Sequence, residues 1–316
     1  MSFDSIYNFF FNYYLPIEYV AGIRVLTYSW FVGYWAYRFK DFYLYSKPDG
    51  FYGYNAWQLF KQERACYSYL YAFDFIAKSN FMHKFLFATF FVSGMAAAVG
   101  FLTNISSVIF WLALISISQR ILYINGCAGD LFAKTVTFCL MFVDSGSKYS
   151  IDSMLNISSN LEYVDAWTFR LVQIALCTCY FFSAWHKIED KPWIDGEAFK
   201  FSLLSKNWCR TDQVIMPDFI RNIFIKFIEW RPVYLMGNYF TIYGEFLVPF
   251  LYMVPELRIF GFILAVFFHI SCTVFLRLGH FGPTMVLANL YFLGSVPQST
   301  WDFLLNLIKN ILEIIK

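Results

Sequence analysis

The sequence predicts an all-α membrane protein, a polytopic helical bundle of about eight transmembrane helices with further amphipathic helices at the membrane interface. Hydrophobic residues make up 59% of the 316 and charged residues only 15%, so a water-soluble fold would lack the polar side chains that cover its surface. The apolar runs are aperiodic and too long for barrel strands. Inside a bilayer each segment must satisfy its own backbone hydrogen bonds, which favours helices.

Several apolar runs approach the length of about 20 residues that a spanning helix needs. Two connections between them, roughly 38–84 and 186–232, are rich in aromatic and basic residues, which is typical of ordered structure at the interface. The candidate spans lie near residues 21–37, 85–102, 105–123, 131–143, 164–185, 233–254, 259–276 and 281–296.

Two segments have the spacing of helices that lie along a membrane surface. In "VIMPDFIRNIFIKFIEW" the apolar residues between Phe219 and Ile228 recur at helical steps, and the tail "WDFLLNLIKNILEIIK" places its polar residues at three- and four-residue steps. The predicted organisation is an N-terminal interfacial segment over 1–20, a membrane domain over 21–296 and a C-terminal amphipathic helix over 297–316.

The charge balance limits the choice of partners. A net charge of +2 leaves no basic excess of the kind that nucleic acid binding requires, so the predicted partner is the lipid bilayer. Abundant Phe, Tyr, Ile and Asn with little Arg is typical of an AT-rich genome. The composition therefore favours a multi-pass protein of a bacterial cytoplasmic (inner) membrane.

Ionisable residues inside spans are costly and are therefore candidates for function. The candidates are Arg24, Lys134, Arg170, Glu245 and His269. For each, the alternative is a buried ion pair or a side chain that reaches back to the headgroups. Glu245 lies near the middle of its run, where it needs a partner, and Arg24 or Arg170 are the expected ones.

Two polar stripes are predicted on otherwise apolar helices, and together they would line a polar cleft. A lysine at the edge of such a cleft can serve as a base, and an imidazole deeper inside can donate to developing negative charge. The alternative for the lysine is an interfacial anchor. The first stripe is His269, Cys272, Thr273, Leu276, Arg277 and, if the helix continues, His280; the second is Cys179, Tyr180, Ser183 and Lys187.

Other site chemistries find little support in the sequence. No set of His, Cys or Glu has the spacing of a helix-borne metal site, so no metal is predicted. A glycine-rich phosphate loop and a Gly-x-Ser-x-Gly nucleophile elbow are both missing from the sequence.

Several motifs carry a resemblance to a known family, and their order and spacing extend over about residues 20–296. The chain resembles the HTTM (horizontally transferred transmembrane) family, the membrane domain of vitamin K-dependent gamma-carboxylases. Its short form is similar to membrane proteins that mature sporulation-delaying-type peptide toxins. The motifs are "AGIRVL" with Arg24, "QRILYINGCAGDLFAK" with Arg120, "YSIDSM" with Asp152, "YFFSAWHKIEDKPWIDGEAFKFSL" with Lys187, "YGEFLVPFLYMVPELR" with Glu245 and "FHISCTVFLRLGHFGPTMVLANLYFL" with His269.

The resemblance implies roles for individual residues. In gamma-carboxylases a lysine base deprotonates reduced vitamin K, and that lysine corresponds to Lys187; a histidine that stabilises charge corresponds to His269. A reduced vitamin K-type quinone would then be the cofactor. The cleft or substrate-binding residues would be Tyr180, Ser183, Thr273, His280, Glu245, Arg24, Arg120 and Asp152.

Two departures from the carboxylase pattern change the expected function. A histidine expected near "YINGCAGD" is missing, and the sequence stops soon after the last span, where carboxylases continue into a soluble region. The expected role is therefore maturation or export of a secreted peptide, with a helper protein as a further partner. The alternative is a membrane-embedded, carboxylase-like enzyme that uses Lys187 as its base.

Overall fold

A computed structural model describes residues 7–9, 12–51, 79–120, 128–205, 209 and 218–315. Within these ranges most residues are helical, and a single ribbon pairs β1 (Tyr14–Pro16) with β2 (Tyr163–Asp165) antiparallel, Leu15 opposite Val164. The side chain of Arg120, a predicted cleft residue, lies outside the described residues. The all-α class is confirmed.

The helices follow the predicted apolar runs. In chain order they are α1 (Ile17–Tyr37), α2 (Phe39–Ser46), α3 (Asn80–Val99), α4 (Thr103–Arg120), α5 (Ala128–Leu140), α6 (Ile151–Met154), α7 (Trp167–Glu189), α8 (Lys191–Ile194), α9 (Glu197–Leu204), α10 (Asp218–Glu229), α11 (Arg231–Met253), α12 (Arg258–Phe275), α13 (Phe281–Leu290) and α14 (Gln298–Ile315). Short 3-10 turns lie at Ser145–Ser147, Pro255–Leu257 and Leu293–Ser295.

The count of eight complete spans is not confirmed. At about 1.5 Å per residue, the 10 residues of α13 and the 13 of α5 rise roughly 15 and 20 Å, less than the roughly 30 Å hydrocarbon core. Among the described residues, two segments are both long and apolar enough to cross a membrane, Asn80–Val99 and Pro255–Phe275.

Helix ends differ from the sequence expectations at two functional positions. Helix α7 continues to Glu189, beyond the end of the apolar run at 164–185, so Lys187 lies in its last turn on the helix that carries the predicted stripe. Helix α12 ends at Phe275 with extended backbone at Leu276, so the predicted stripe from His269 does not continue along one helix to His280. The basic and aromatic connection after Lys187 contains α8, α9 and α10, in agreement with the expectation of ordered structure.

Contacts divide the chain into two compact units, Met1–Val172 and Gln173–Lys316, with the boundary inside α7. In the first unit, α1 packs on α3 and α3 on α4. A cluster of aromatic rings fills this core, with Phe110 at 4.7 Å from Phe90 and 5.1 Å from Tyr28 between centroids. Gly94 permits the close approach, because a Cβ there would overlap the Phe110 ring.

In the second unit, α12 packs on both α11 and α13, and α9 and α10 pack on α11. The Tyr252 and Phe292 rings stack in parallel with centroids 3.7 Å apart. Gly282, in the first turn of α13, lies against α12, because a Cβ there would overlap the Thr273 hydroxyl and the His269 carbonyl. This contact brings the face of α13 that carries Asn289 toward His269.

Large apolar side chains also form exposed rows on the helices. On α12, Ile263, Phe267, Ile270 and Val274 follow one another at three- and four-residue steps, and each is about half exposed. Continuous exposed apolar faces of this kind are rare on soluble proteins and are usual where lipid is the solvent.

Candidate functional site

An ion pair between Lys187 and Glu245 is the centre of the candidate site in the second unit. Lys187 Nζ donates to Glu245 Oε2 and to Ser183 Oγ, the latter at 2.7 Å. The Glu245 side chain is 7% exposed and that of Lys187 is 15% exposed. The buried carboxylate expected from the sequence therefore has Lys187 as its partner, and the expectation that Arg24 or Arg170 would fill this role is corrected.

Local packing holds Lys187 in place. Its ammonium lies 5.1 Å from the centre of the Trp193 ring, within the range of a cation–π interaction. Trp193 belongs to α8, and its carbonyl accepts a hydrogen bond from the buried amide of Asn238 on α11. The other side of that amide accepts from the Phe199 backbone N–H at 3.0 Å. One buried asparagine thus fixes the α8–α9 segment that covers the lysine.

Tyr180 and His269 form a second polar contact in the same unit. The Tyr180 hydroxyl lies 2.6 Å from His269 Nε2, and both side chains are buried. Ser183 and Tyr180 occupy the same face of α7 as Lys187, one and two turns before it. The stripe predicted on α7 therefore exists, and it meets His269 at one end and Glu245 at the other.

A buried asparagine extends this contact into a network. Asn289 Nδ2 donates to the Tyr180 hydroxyl at 2.7 Å and to the Met285 carbonyl at 2.7 Å, while Asn289 Oδ1 accepts from the Tyr252 hydroxyl at 2.5 Å. His269 Nδ1 has no hydrogen-bond partner among the described residues. A buried polar group without a partner costs about 1–3 kcal/mol, which marks this nitrogen as unusual.

The two contacts border one small cavity. It has a volume of about 10 Å³ and is lined by both Tyr180 and Glu245, together with apolar residues of α11 and α12 such as Val248 and Ala265. Such a volume holds about one water molecule. This cavity is too small for the ring system of a vitamin K-type quinone.

Two predicted cleft residues have local roles in the structure. The Thr273 hydroxyl donates to the carbonyl of His269, one turn earlier in the same helix, at 2.8 Å. His280 is buried at the N-terminal end of α13. Because α12 ends before it, His280 does not share a helical face with His269, and this part of the expected stripe is corrected.

Arg24 and Asp152, also expected in the cleft, lie in the first unit and bind backbone there. The buried Arg24 guanidinium donates to the carbonyls of Ser145 and Tyr149. Asp152 accepts from the backbone N–H groups of Leu102 and Thr103 at 2.7 and 2.8 Å and from the Thr103 hydroxyl at 2.7 Å. These contacts satisfy backbone N–H groups at the start of α4, as the side chain of a capping residue would.

Burial alone would raise the pKa of Asp152, but the hydrogen bonds from Thr103 and Leu102 and the charge of Arg24 outweigh it and lower that pKa below its usual value. Asp152 also lines an open cavity of about 350 Å³ together with Asn104, Asp144 and Ser147. Both carboxylate oxygens are already bonded to protein donors, so the contacts of Asp152 are those of a structural residue.

Asn289, Tyr252 and Asn238 were missed in the sequence analysis. Charge within a span marks a residue as a site candidate, and the asparagine amide and the tyrosine hydroxyl are neutral. A signal was present, because Asn289 is a lone amide in the apolar run "MVLANLYFL" and Asn238 follows Gly237 in "LMGNYF". A buried amide must find partners for its donors and acceptor, so each of these positions requires a hydrogen-bond network.

Metal ligands do not cluster in the described ranges: no group of three or more His, Cys, Asp or Glu there is placed to hold an ion.

Comparisons with known proteins give one match. No curated protein and no solved structure matches the chain. The family model of the HTTM domain matches residues 45–295, which contain Lys187, Glu245, His269 and Asn289. Together with the apolar helices, this match makes the protein a membrane protein, and the chain belongs to the HTTM family.

Proposed function

We propose that this HTTM protein carries an intramembrane proton-transfer site, formed by Lys187 and Glu245 with Tyr180 and His269, that acts on a lipophilic or peptide substrate. The observation that carries the proposal is the polar set in the second unit. An ion pair and a Tyr–His contact lie along one face of α7, and one member of each, Glu245 and Tyr180, lines the same small cavity. Buried ionisable groups among lipid-exposed helices are costly and are usually retained for function.

The chemistry follows from the contacts. Lys187 can accept a proton only as a neutral amine, and the hydrogen bond to Glu245 provides a route by which the carboxylate takes the ammonium proton. When Lys187 then removes a proton from the substrate, the charge that forms on a substrate oxygen is stabilised by the His269 N–H. Tyr180 holds the imidazole in place.

Reduced vitamin K does not enter this proposal as a reactant. The space of about 10 Å³ beside Tyr180 is too small for its rings. A substrate can instead reach Lys187 from the surface, because its side chain is 15% exposed.

The experiment that tests proton transfer is replacement of Lys187 by Arg in the native host. Arginine keeps a positive partner for Glu245 but does not lose its proton, so the ion pair persists without the base. We expect normal accumulation in the membrane and no complementation of a deletion strain. Lys200→Arg is the matched control, because Lys200 lies 5.4 Å from the Tyr234 ring in the same unit. Full complementation by well-expressed Lys187→Arg and His269→Ala would sink the catalytic proposal.

A second candidate is a non-catalytic partner in the maturation or export of a secreted peptide, acting with a helper protein. The nearly closed cavity supports this candidate, since an ion pair without room for a substrate serves packing. Under it, Lys187→Arg retains full function. Crosslinks from a photoreactive residue at the exposed Phe219 of α10 would then identify a bound peptide.

We also propose that the protein is a multi-pass protein of a bacterial cytoplasmic membrane, with α1, α3, α4, α5, α7, α11, α12 and α13 entering the bilayer. Their agreement with the eight apolar runs of the sequence supports this topology. Reporter fusions within 121–127 and at 145–147 test α5, one of the two shortest of these helices. Reporters on the same side of the membrane would show that α5 does not cross.

A further inference from the structure

The orientation of the Asn289 amide is determined by its own helix. Its Nδ2 atom lies 2.7 Å from the Met285 carbonyl, and a carbonyl can only accept a hydrogen bond. The amide atom on that side must therefore be the nitrogen. The oxygen then faces the Tyr252 hydroxyl at 2.5 Å, and that hydroxyl donates to it.

The same amide determines which way the Tyr180 hydroxyl points. Asn289 Nδ2 also lies 2.7 Å from this hydroxyl, and an amide nitrogen only donates. Tyr180 therefore accepts from Asn289. Its single hydrogen would be buried without an acceptor unless it goes to its other close partner, His269 Nε2 at 2.6 Å, so Tyr180 donates to His269. An Nε2 that accepts carries no hydrogen, so the neutral imidazole carries its hydrogen on Nδ1.

The Nδ1–H group is a buried donor without an acceptor. His269 is 1% exposed, and Nδ1 has no hydrogen-bond partner among the described residues. The rings of Phe268 and Phe281 lie edge-on to the imidazole at 5.2 and 5.3 Å. An N–H in such surroundings gains most from an uncharged oxygen that only accepts, because a charged ligand would pay a larger desolvation cost.

We infer that Tyr252, Asn289 and Tyr180 are positioning residues that hold His269 in its Nδ1–H tautomer, and that this N–H binds a carbonyl oxygen of the ligand. The tautomer depends on the contacts among these four residues and on the Met285 carbonyl that orients the Asn289 amide. The ligand class rests on the proposed function, since it assumes that the site receives a substrate.

Nitrogen NMR of the purified protein with ¹⁵N-labelled histidine tests the tautomer. The chain has four histidines, so a His269→Gln spectrum assigns the signals. We expect the proton on Nδ1 in the native protein, and a mixture of the two tautomers in Asn289→Leu and in Tyr180→Phe. Gln173→Leu is the matched control, because this buried amide on the same helix donates to the Tyr291 carbonyl at 2.8 Å; it should leave the tautomer unchanged.

Each result of this experiment is decisive. A proton on Nε2 in the native protein overturns the inference. So does an unchanged Nδ1–H tautomer in both Asn289→Leu and Tyr180→Phe, since the positioning residues would then have no effect. If Asn289→Leu fails to fold, Tyr180→Phe alone gives the answer, because it removes a single oxygen.

Titration with small probes tests the ligand. Cyclohexanone offers a ketone carbonyl, N-methylacetamide a peptide carbonyl and methylcyclohexane no oxygen. A saturable downfield shift of the His269 Nδ1–H proton with either carbonyl probe supports the inference, and the probe with the larger shift shows whether the site prefers a ketone or a peptide carbonyl. A shift no larger than that with methylcyclohexane overturns the ligand part. Both measurements use the resting protein, without turnover. They can therefore overturn this inference while the Lys187→Arg experiment still supports proton transfer, and they can support it when that experiment overturns proton transfer.

Discussion

Breaking the Lys187–Glu245 pair should destabilise the second unit unequally, depending on which partner is removed. Lys187→Met leaves the Glu245 carboxylate, 7% exposed, without its cation. A buried charge that loses its partner costs about 3–5 kcal/mol. Glu245→Leu leaves an ammonium whose side chain is 15% exposed and still bonded to Ser183, so we expect a smaller loss of about 1–3 kcal/mol.

The double variant gives the sharper test. Lys187→Met with Glu245→Leu replaces both charges by apolar groups of similar size, which is often close to neutral, so we expect a loss of about 0–2 kcal/mol. The coupling free energy between the two positions is then at least about 2 kcal/mol. A suitable assay is unfolding of the purified protein in mixed micelles with increasing SDS, followed by tryptophan fluorescence.

An exposed ion pair provides the control. Arg38 and Asp41 are 34% and 52% exposed, and removing either should cost less than about 1 kcal/mol. Additive effects of Lys187→Met and Glu245→Leu to within about 0.5 kcal/mol would refute the reasoning, because independent sites add in this way. A Lys187→Met variant as stable as the native protein would refute it as well.

Three further predictions concern packing and the first unit. Gly282→Ala places a methyl group against the Thr273 hydroxyl and should cost about 1–3 kcal/mol in the same unfolding assay; native stability would contradict the close approach of α13 to α12. Asp152→Asn should cost about 1–3 kcal/mol, because an amide nitrogen replaces an oxygen that accepts from Thr103. Folding lowers the pKa of Asp152, so the contribution of this carboxylate to the free energy of unfolding is fully present above its unfolded pKa, near 3.8, and is lost as the pH falls through the folded pKa. The native protein should therefore lose stability below about pH 4 more steeply than Asp152→Asn. Parallel pH profiles of the two proteins would contradict this. Arg24→Lys should lower the stability of the first unit by about 1–3 kcal/mol, measured as reduced resistance to proteolysis. The two nitrogens of the guanidinium each donate to a different carbonyl, whereas lysine has a single nitrogen and a different geometry. Equal resistance would argue against this role of Arg24.

The sequence predicted most of the helices because their signal is local. Apolar composition and run length do not depend on what packs against them, so the runs at 21–37, 164–185 and 233–254 correspond to α1, α7 and α11. The ends were less predictable. Helix α7 runs on through Lys187 to Glu189, and α12 stops at Phe275, because contacts with other elements decide whether a helix continues.

Part of the site could also be read from the sequence. Helical spacing placed Tyr180 and Ser183 on the face of α7 that carries Lys187, and the rarity of ionisable residues in spans selected Glu245 and His269. The HTTM family followed from motif order and is confirmed.

The pairing of these residues was decided only by the tertiary structure. A sequence gives the face of each helix but not which faces meet, so Glu245 was assigned to Arg24 or Arg170, whereas packing places it against Lys187. Asn289 was overlooked for the same reason, since a neutral amide becomes informative only when its donors and acceptor have partners. The sequence alone therefore determined a helical HTTM membrane protein and its polar residues, because composition and periodicity are properties of single segments. The ion pair and the tautomer of His269 depend on distances between segments far apart in the chain, which only the folded structure defines.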